Sequence, residues 1–384
     1  MRKSTNSALA ALKPSRIRRI NALAASTPGC IALALGEPDF DTPVPIREAA
    51  KTALDEGFTH YPPNNGTPEL RQAIAAYMAD PATGDPALSY APDEIIVTVG
   101  AAEALHATFA ALLNPGDEVV IPTPTFALVE NVVAAHHAVP VYLDTTQDAF
   151  QIDEARLRSA VTPATKAIII NSPNNPTGVV LTPASLDAVA AVAAETGIYV
   201  VCDDVYNRLV YTDAYERFAV RHAELREQIV VVDSFSKPWA MTGWRLGWLA
   251  AAAPVEAEIA KMHQYMVSSA SGPEMPAGVC ALATDPEPML EVYRVRRERV
   301  IAALGQMGLP TVEPEGAFYA FPQVGVTGLS SDEFCERAIR EAGVALVPST
   351  CFGTEGYARL SYCVADDDLD EGLRRLQAFM EGLA

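Results

Sequence analysis

Between residues 94 and 232 six short runs rich in β-branched residues recur, at 94–99, 118–121, 139–143, 166–170, 198–202 and 229–232, and stretches of helical periodicity separate them. Runs this short and this continuously apolar read as strands buried on both faces. Strands alternating with helices build an α/β domain around a mostly parallel sheet. In such a sheet ligands bind beyond the carboxyl ends of the strands. The residues that directly follow each run are therefore where chemistry is expected.

Those residues are unusual in kind. After the run 229–232 comes Asp233-Ser234-Phe235-Ser236-Lys237, then an aromatic, glycine-punctuated segment through Arg245 to Trp248. A lysine at the exit of a core strand is either solvated by the loop or kept desolvated, where a lowered pKa makes its amine nucleophilic. Hydroxyls at Ser234 and Ser236, and the fork of Arg245 after the Gly243 turn, suggest an amine beside a phosphate. The first run leads into Gly100-Ala101-Ala102, small residues that open a helix and leave free N–H groups for an anion. Pro122-Thr123-Pro124-Thr125-Phe126 sets an aromatic just past a strand end, where it stacks on a flat ring or packs in the core. Asn171-Ser172-Pro173-Asn174-Asn175-Pro176-Thr177-Gly178 holds amide donors between prolines. Cys202-Asp203-Asp204-Val205-Tyr206 ends a buried strand in two acids, which are costly there unless a cation pairs with them. Further on, Arg359 alternates with apolar residues in Tyr357–Tyr362. It faces either inward, as a carboxylate fork, or outward as a surface charge.

Ser-x-x-Lys with an arginine eight residues beyond the lysine, taken with these motifs in this order, resembles the class I/II aminotransferases. These are fold type I enzymes of pyridoxal 5′-phosphate (PLP). The resemblance extends from Gly36 to the C-terminal helix and implies a mostly parallel seven-stranded sheet between helices plus a smaller α+β domain. It implies that Lys237 forms the Schiff base and moves the substrate proton. Ser234, Ser236, Arg245 and the backbone at Ala101 and Ala102 would hold the cofactor phosphate, although many relatives have a hydroxyl residue at the second alanine position. Phe126 would stack on the cofactor ring, Asn175 and Tyr206 would contact its 3′-oxygen, and Asp203 would keep its nitrogen protonated, with Asp204 a structural neighbour. Gly36, in the loop Gly36-Glu37-Pro38-Asp39-Phe40-Asp41-Thr42-Pro43, would lie with Asn175 and Arg359 at the substrate carboxylate. Tyr61, in a Tyr61-Pro62…Gly66…Glu69-Leu70-Arg71 pattern, would reach the phosphate of a neighbouring subunit, so a homodimer with shared sites is implied.

The activity so implied moves an amino group from an L-amino acid to a 2-oxo acid, with 2-oxoglutarate and glutamate as one pair, in the manner of aspartate or aromatic aminotransferases. The same site chemistry serves carbon–sulfur β-lyases. Aminotransferase-like domains also occur as non-catalytic PLP-binding sensors, but these would want a basic DNA-binding extension. The side chain of the substrate stays open. Arg16, Arg18 and Arg19 offer a second cation for an acidic substrate, with surface solvation the competing role.

At 384 residues the chain is long enough for two cores. The expected division is an N-terminal arm with part of the small domain at 1–44, a large PLP-binding domain at 45–275, and a small C-terminal domain at 276–384. The last opens on a long charged helix at 287–307. Helices are also expected at 45–56 and 69–78 and a short strand at 31–35, and shorter strand and helix candidates lie at 317–321, 331–342, 344–347, 358–363 and 366–380. A net charge of −20 opposes binding to nucleic acid or to an anionic membrane. No run is long and apolar enough for a bilayer, and residues 1–5 do not begin a secretory signal, so a cytoplasmic protein is expected. Six scattered cysteines read as reduced core residues, not as a metal site or a disulfide framework.

Overall fold

The computed structural model describes residues 9, 12 and 16–383. Residues 1–5 and the side chains of Arg16 and Arg18 lie outside the described residues. Helix α1 (Arg16–Ser26) leads to β1 (Ile31–Ala32), α2 (Val44–Asp55) and α3 (Pro68–Ala79). The start of α3 is written in its sequence: the Thr67 side chain caps the Leu70 N–H, and Pro68 supplies a pre-set φ where no N–H is needed. The main sheet follows, from β2 (Ile95–Thr98), α4 (Gly100–Leu112), β3 (Glu118–Thr123), β4 (Val139–Asp144), β5 (Thr165–Asn171), α5 (Pro183–Thr196), β6 (Tyr199–Asp203), β7 (Ile229–Ser234) and β8 (Gly247–Ala251) to α6 (Ala253–Val267).

These strands form one seven-stranded sheet in the order β2-β8-β7-β6-β5-β3-β4. Its central pairings are parallel, and β8 runs antiparallel to both β2 and β7. Side chains alternate across the sheet. Val201, Val230, Val232 and Ile169 enter one core with α4 and α6, while Val200, Val231, Ile168 and Ile170 enter another beneath α3 and α5. Because both faces are covered, the strands read as unbroken apolar runs. Each fully buried Val or Ile contributes about 1.5–3 kcal/mol.

The rest of the chain gathers around α7 (Glu287–Gln306) and α8 (Asp366–Leu383), with β9 (Tyr319–Ala320), β10 (Val344–Ala345), β11 (Val347–Pro348) and β12 (Ala358–Ser361). Strands β11-β12-β9 make an antiparallel sheet, and β1 pairs in parallel with β10, so the N-terminal segment packs with the C-terminal part. Leu33 shares a core with Tyr293, Phe318, Leu360 and Leu376. The expected strand at 31–35 is cut to two residues for a physical reason: past Ala32 the backbone leaves its ladder, Leu33 O accepts the Ser361 N–H at 2.9 Å, and the carbonyls of Ala34 and Gly36 meet side chains. Ala34 O accepts from Arg359 Nη2 at 2.7 Å, and Gly36 O accepts from Lys237 Nζ at 2.6 Å. The segment 331–342 is α-helical over Ser331–Arg337 and ends in a wider π turn to Ala342. All six cysteines are free; four are buried, and Cys30 and Cys280 are half-buried. No helix among the described residues is long and apolar enough to cross a membrane.

Candidate active site

Twelve of the thirteen residues singled out from the sequence line one cavity of about 320 Å³ at the carboxyl ends of β5, β6 and β7. Tyr61 is the exception. It stands 92% exposed on the loop before α3, outside this cavity.

Lys237 follows β7 by three residues, half-buried, with its amine 5.8 Å from the centre of the Phe318 ring. Burial lowers its pKa to about 8; the neighbouring Cys363 and Glu37 oppose that shift, while Arg359 and Arg245 add to it. Asp203 closes β6. Its carbonyl accepts from Asn171 Nδ2 at 2.8 Å, but its Oδ1 is buried with no hydrogen-bond partner. Burial first, and the adjacent Asp204 second, push its pKa up to about 7. Asp204 points elsewhere and accepts from the buried Arg217 Nε at 2.9 Å. Arg217 also lies 3.9 Å from Asp233, whose Oδ1 accepts the Ser234 N–H at 2.7 Å. One buried cation thus fixes the acids next to Asp203 and Ser234, and only Asp203 faces the cavity open.

At the other end of the cavity Ser234 Oγ and Ser236 Oγ are 2.7 Å apart, and the Ser236 N–H donates to Ser234 Oγ at 3.0 Å. Arg245, in the left-handed region at φ 56°, donates from Nη1 to the Thr242 carbonyl at 2.9 Å. Its Nη2 approaches Gly100 so closely that a Cβ there would collide with it; Gly100 also has a positive φ, of 72°, at the start of α4. Glycine at this position lets the guanidinium lie against the helix start, on the cavity that Ser234 and Ser236 also line.

On the small-sheet side Arg359 is buried. Nη1 donates to Asn175 Oδ1 at 2.9 Å, Nη2 donates to Ala34 O, and Nε has no partner. The guanidinium lies 4.5 Å from the Tyr319 ring centre, and the Tyr319 and Tyr206 hydroxyls are 2.9 Å apart. Gly36 lacks a side chain where a Cβ would meet the Tyr319 hydroxyl. Phe126, 40% exposed, sits at the rim. Arg19 is exposed and ion-paired with Glu336.

Sequence reasoning missed Asn171 and Tyr319. Asn171 positions two functional segments, since its Oδ1 accepts the Asn175 N–H at 2.8 Å while its amide holds Asp203. Its signal was its place as the first residue of the Asn-Pro-rich motif. Tyr319 was visible only as one aromatic among several in Gly316–Phe321.

Residues 28–376 match the family described as aminotransferase class I and II. The chain is 40% identical over 372 residues to a probable N-acetyl-LL-diaminopimelate aminotransferase of Bacillus subtilis, covering 95% of this chain and 93% of that one. It is 40% identical to aromatic-amino-acid aminotransferase 2 of Thermococcus litoralis, with 96% of each covered. Among solved structures, the aspartate aminotransferase of Thermus thermophilus with maleate superposes with a TM-score of 0.91 at 35% identity, over 98% of this chain and 100% of that one. The chain therefore belongs to the class I and II aminotransferases, enzymes of fold type I that depend on PLP.

Proposed function

We propose that this cavity binds PLP and that the chain moves the amino group of an L-amino acid to a 2-oxo acid, with glutamate and 2-oxoglutarate as one pair. The observation that carries the reading is the buried, partnerless Asp203 Oδ1 on the same cavity as Lys237. A carboxylate so placed calls for a cation, and a protonated pyridine nitrogen is one. The donor set at the other end suits a phosphate, with two hydroxyls, the Arg245 fork and the Ala101 and Ala102 N–H groups at a helix start.

When bound, PLP supplies an electron sink for the pair left as the substrate loses its Cα proton. Lys237 Nζ, with a pKa near 8, is the base that takes that proton and returns it. Asp203 would hold the ring nitrogen in its protonated form, and that cation would in turn favour the carboxylate against the burial that raises its pKa. Asn175 has its Oδ1 engaged by Arg359, so its Nδ2 and the Tyr206 hydroxyl would be the groups that hold the cofactor's ring oxygen. Phe126, which lines the same cavity, would cover one ring face. Arg359 orients the substrate carboxylate, with Gly36 keeping that corner open. Names among the relatives include aspartate, aromatic amino acids and N-acetyl-LL-diaminopimelate, so they favour no single side chain. A panel of amino donors with 2-oxoglutarate tests the reading: glutamate should form with at least one donor, and borohydride should fix the cofactor on Lys237. Release of pyruvate and ammonia from a cysteine conjugate, with no glutamate formed from any donor, would make it a carbon–sulfur lyase instead.

The reading includes a cytoplasmic homodimer. Residues 45–275 form its cofactor-binding domain, and residues 1–44 with 276–384 form the small one, as the β1–β10 pairing supports. Tyr61, exposed in its own chain, completes the partner's phosphate site. Mixed dimers of Lys237→Ala and Tyr61→Ala subunits should then regain activity above both parents, because one site in each holds both intact residues. No recovery would assign Tyr61 to its own chain.

A further inference from the structure

His263, on α6, is wholly buried outside the cavity. Both its ring nitrogens face acceptors: Nδ1 lies 3.1 Å from Glu103 Oε1, and Nε2 lies 2.9 Å from the Asn64 carbonyl. A carbonyl can only accept, so Nε2 carries a proton. An ionised carboxylate can only accept, so Nδ1 carries one too, and the ring that satisfies both is an imidazolium. Burial works against that charge, but the hydrogen bond and charge of Glu103, with the Asn64 carbonyl, hold the pKa above the usual histidine range.

Glu103 stands in the first turn of α4, and its Oε2 accepts the Val99 N–H at 3.1 Å, bracing the turn just before Gly100. A carboxylate and a phosphate at one helix start draw on the same partial positive charge and repel each other. We infer that His263 is a positioning residue for the cofactor phosphate: its charge cancels that of Glu103, so the turn is braced by a carboxylate and still accepts a second anion. The inference rests on the proposed phosphate role of this helix start. The imidazolium also ties that turn to the loop bearing Tyr61, because Asn64 belongs to it. Asn65 of the same loop donates from Nδ2 to Glu256 Oε1 at 2.8 Å, and its carbonyl accepts the Val97 N–H at 3.1 Å.

The test compares affinities of the full-length, cofactor-stripped chain for PLP and for pyridoxal, which lacks the phosphate, by tryptophan fluorescence at pH 7.5. Their ratio isolates the phosphate, so loosening of the fold, which weakens both ligands alike, leaves it unmoved. His263→Leu should lower the ratio roughly ten- to thirtyfold, the size of a partly buried charge effect at a helix end. The double variant Glu103→Gln/His263→Leu should recover most of it, since no charge is left uncancelled. Where the leucine variant fails to fold, His263→Gln takes its place. An unchanged ratio in the single variant, or a double variant as impaired as the single, overturns the inference. If the wild-type chain itself shows no preference for PLP over pyridoxal, the underlying phosphate assignment falls with it.

Discussion

Two buried arginines of the smaller half of the molecule are treated in opposite ways. Arg296 on α7 is closed on every side. Its Nη1 and Nη2 donate to the two oxygens of Asp39 at 2.7 and 2.9 Å, and its Nε donates to Asp366 at 3.2 Å. The rings of Phe40 and Tyr293 lie 5.6 and 5.9 Å from its guanidinium. Arg359, equally buried, donates only to a neutral amide oxygen and a backbone carbonyl and leaves Nε without a partner. Asp204 and Asp203 repeat the contrast between adjacent residues, one held by Arg217 and the other open. A buried charge with all its partners present holds structure together. Other buried polar atoms, Arg217 Nη2 among them, also lack a partner, but Asp203 Oδ1 and Arg359 Nε are the ones whose residues line the cavity, where a ligand can supply what is missing.

The sharpest way to test this distinction is Asp203→Asn, which keeps the shape and removes the charge at the open position. Deprotonation at Cα should slow by roughly a thousandfold or more in single-turnover absorbance traces while PLP still binds, because the electron sink weakens when its nitrogen is no longer held protonated. An unchanged rate would move the role to another acid, although Asp204 is already engaged. Next in size comes Arg359→Lys. Charge is kept but the planar fork is lost, so KM should rise roughly ten- to a hundredfold for every amino acid tested, whatever its side chain. A loss confined to acidic substrates would make Arg359 a side-chain selector.

How far these roles were legible in the sequence follows from where each was encoded. Asp203, Lys237 and Asn175 follow buried apolar runs, and parallel-sheet topology brings the ends of such runs together, so their convergence could be foreseen. Strand β8 could not: Gly247-Trp248-Leu249-Ala250-Ala251 has no β-branched residue, and it becomes a strand only because β2 and β7 flank it. The Ala34 and Gly36 carbonyls act through the backbone, which no side chain announces. Glu103 and His263 meet across 160 residues, and neither lies in a motif that points to the other. Tyr61 was marked by the pattern it shares with the family, and within one chain it does not line the cavity.

Arg296→Met completes the comparison from the closed side and should affect catalysis least. Methionine fills much of the arginine stem's space but removes the cation from between two acids. Asp366 keeps Arg299 as a partner, so its own loss is small. Asp39 loses its bidentate partner, but its side chain is 21% exposed and can rehydrate in part. The destabilisation should therefore fall below the range for a fully buried pair, at about 2–3 kcal/mol, visible as a drop of several degrees in Tm. Because Asp39 sits in the loop that carries Gly36, a modest rise in KM should accompany it, with kcat nearly unchanged. A variant that kept its Tm and lost turnover would show that closed partners do not mark a structural arginine, and the contrast with Arg359 would fail as a guide to the site.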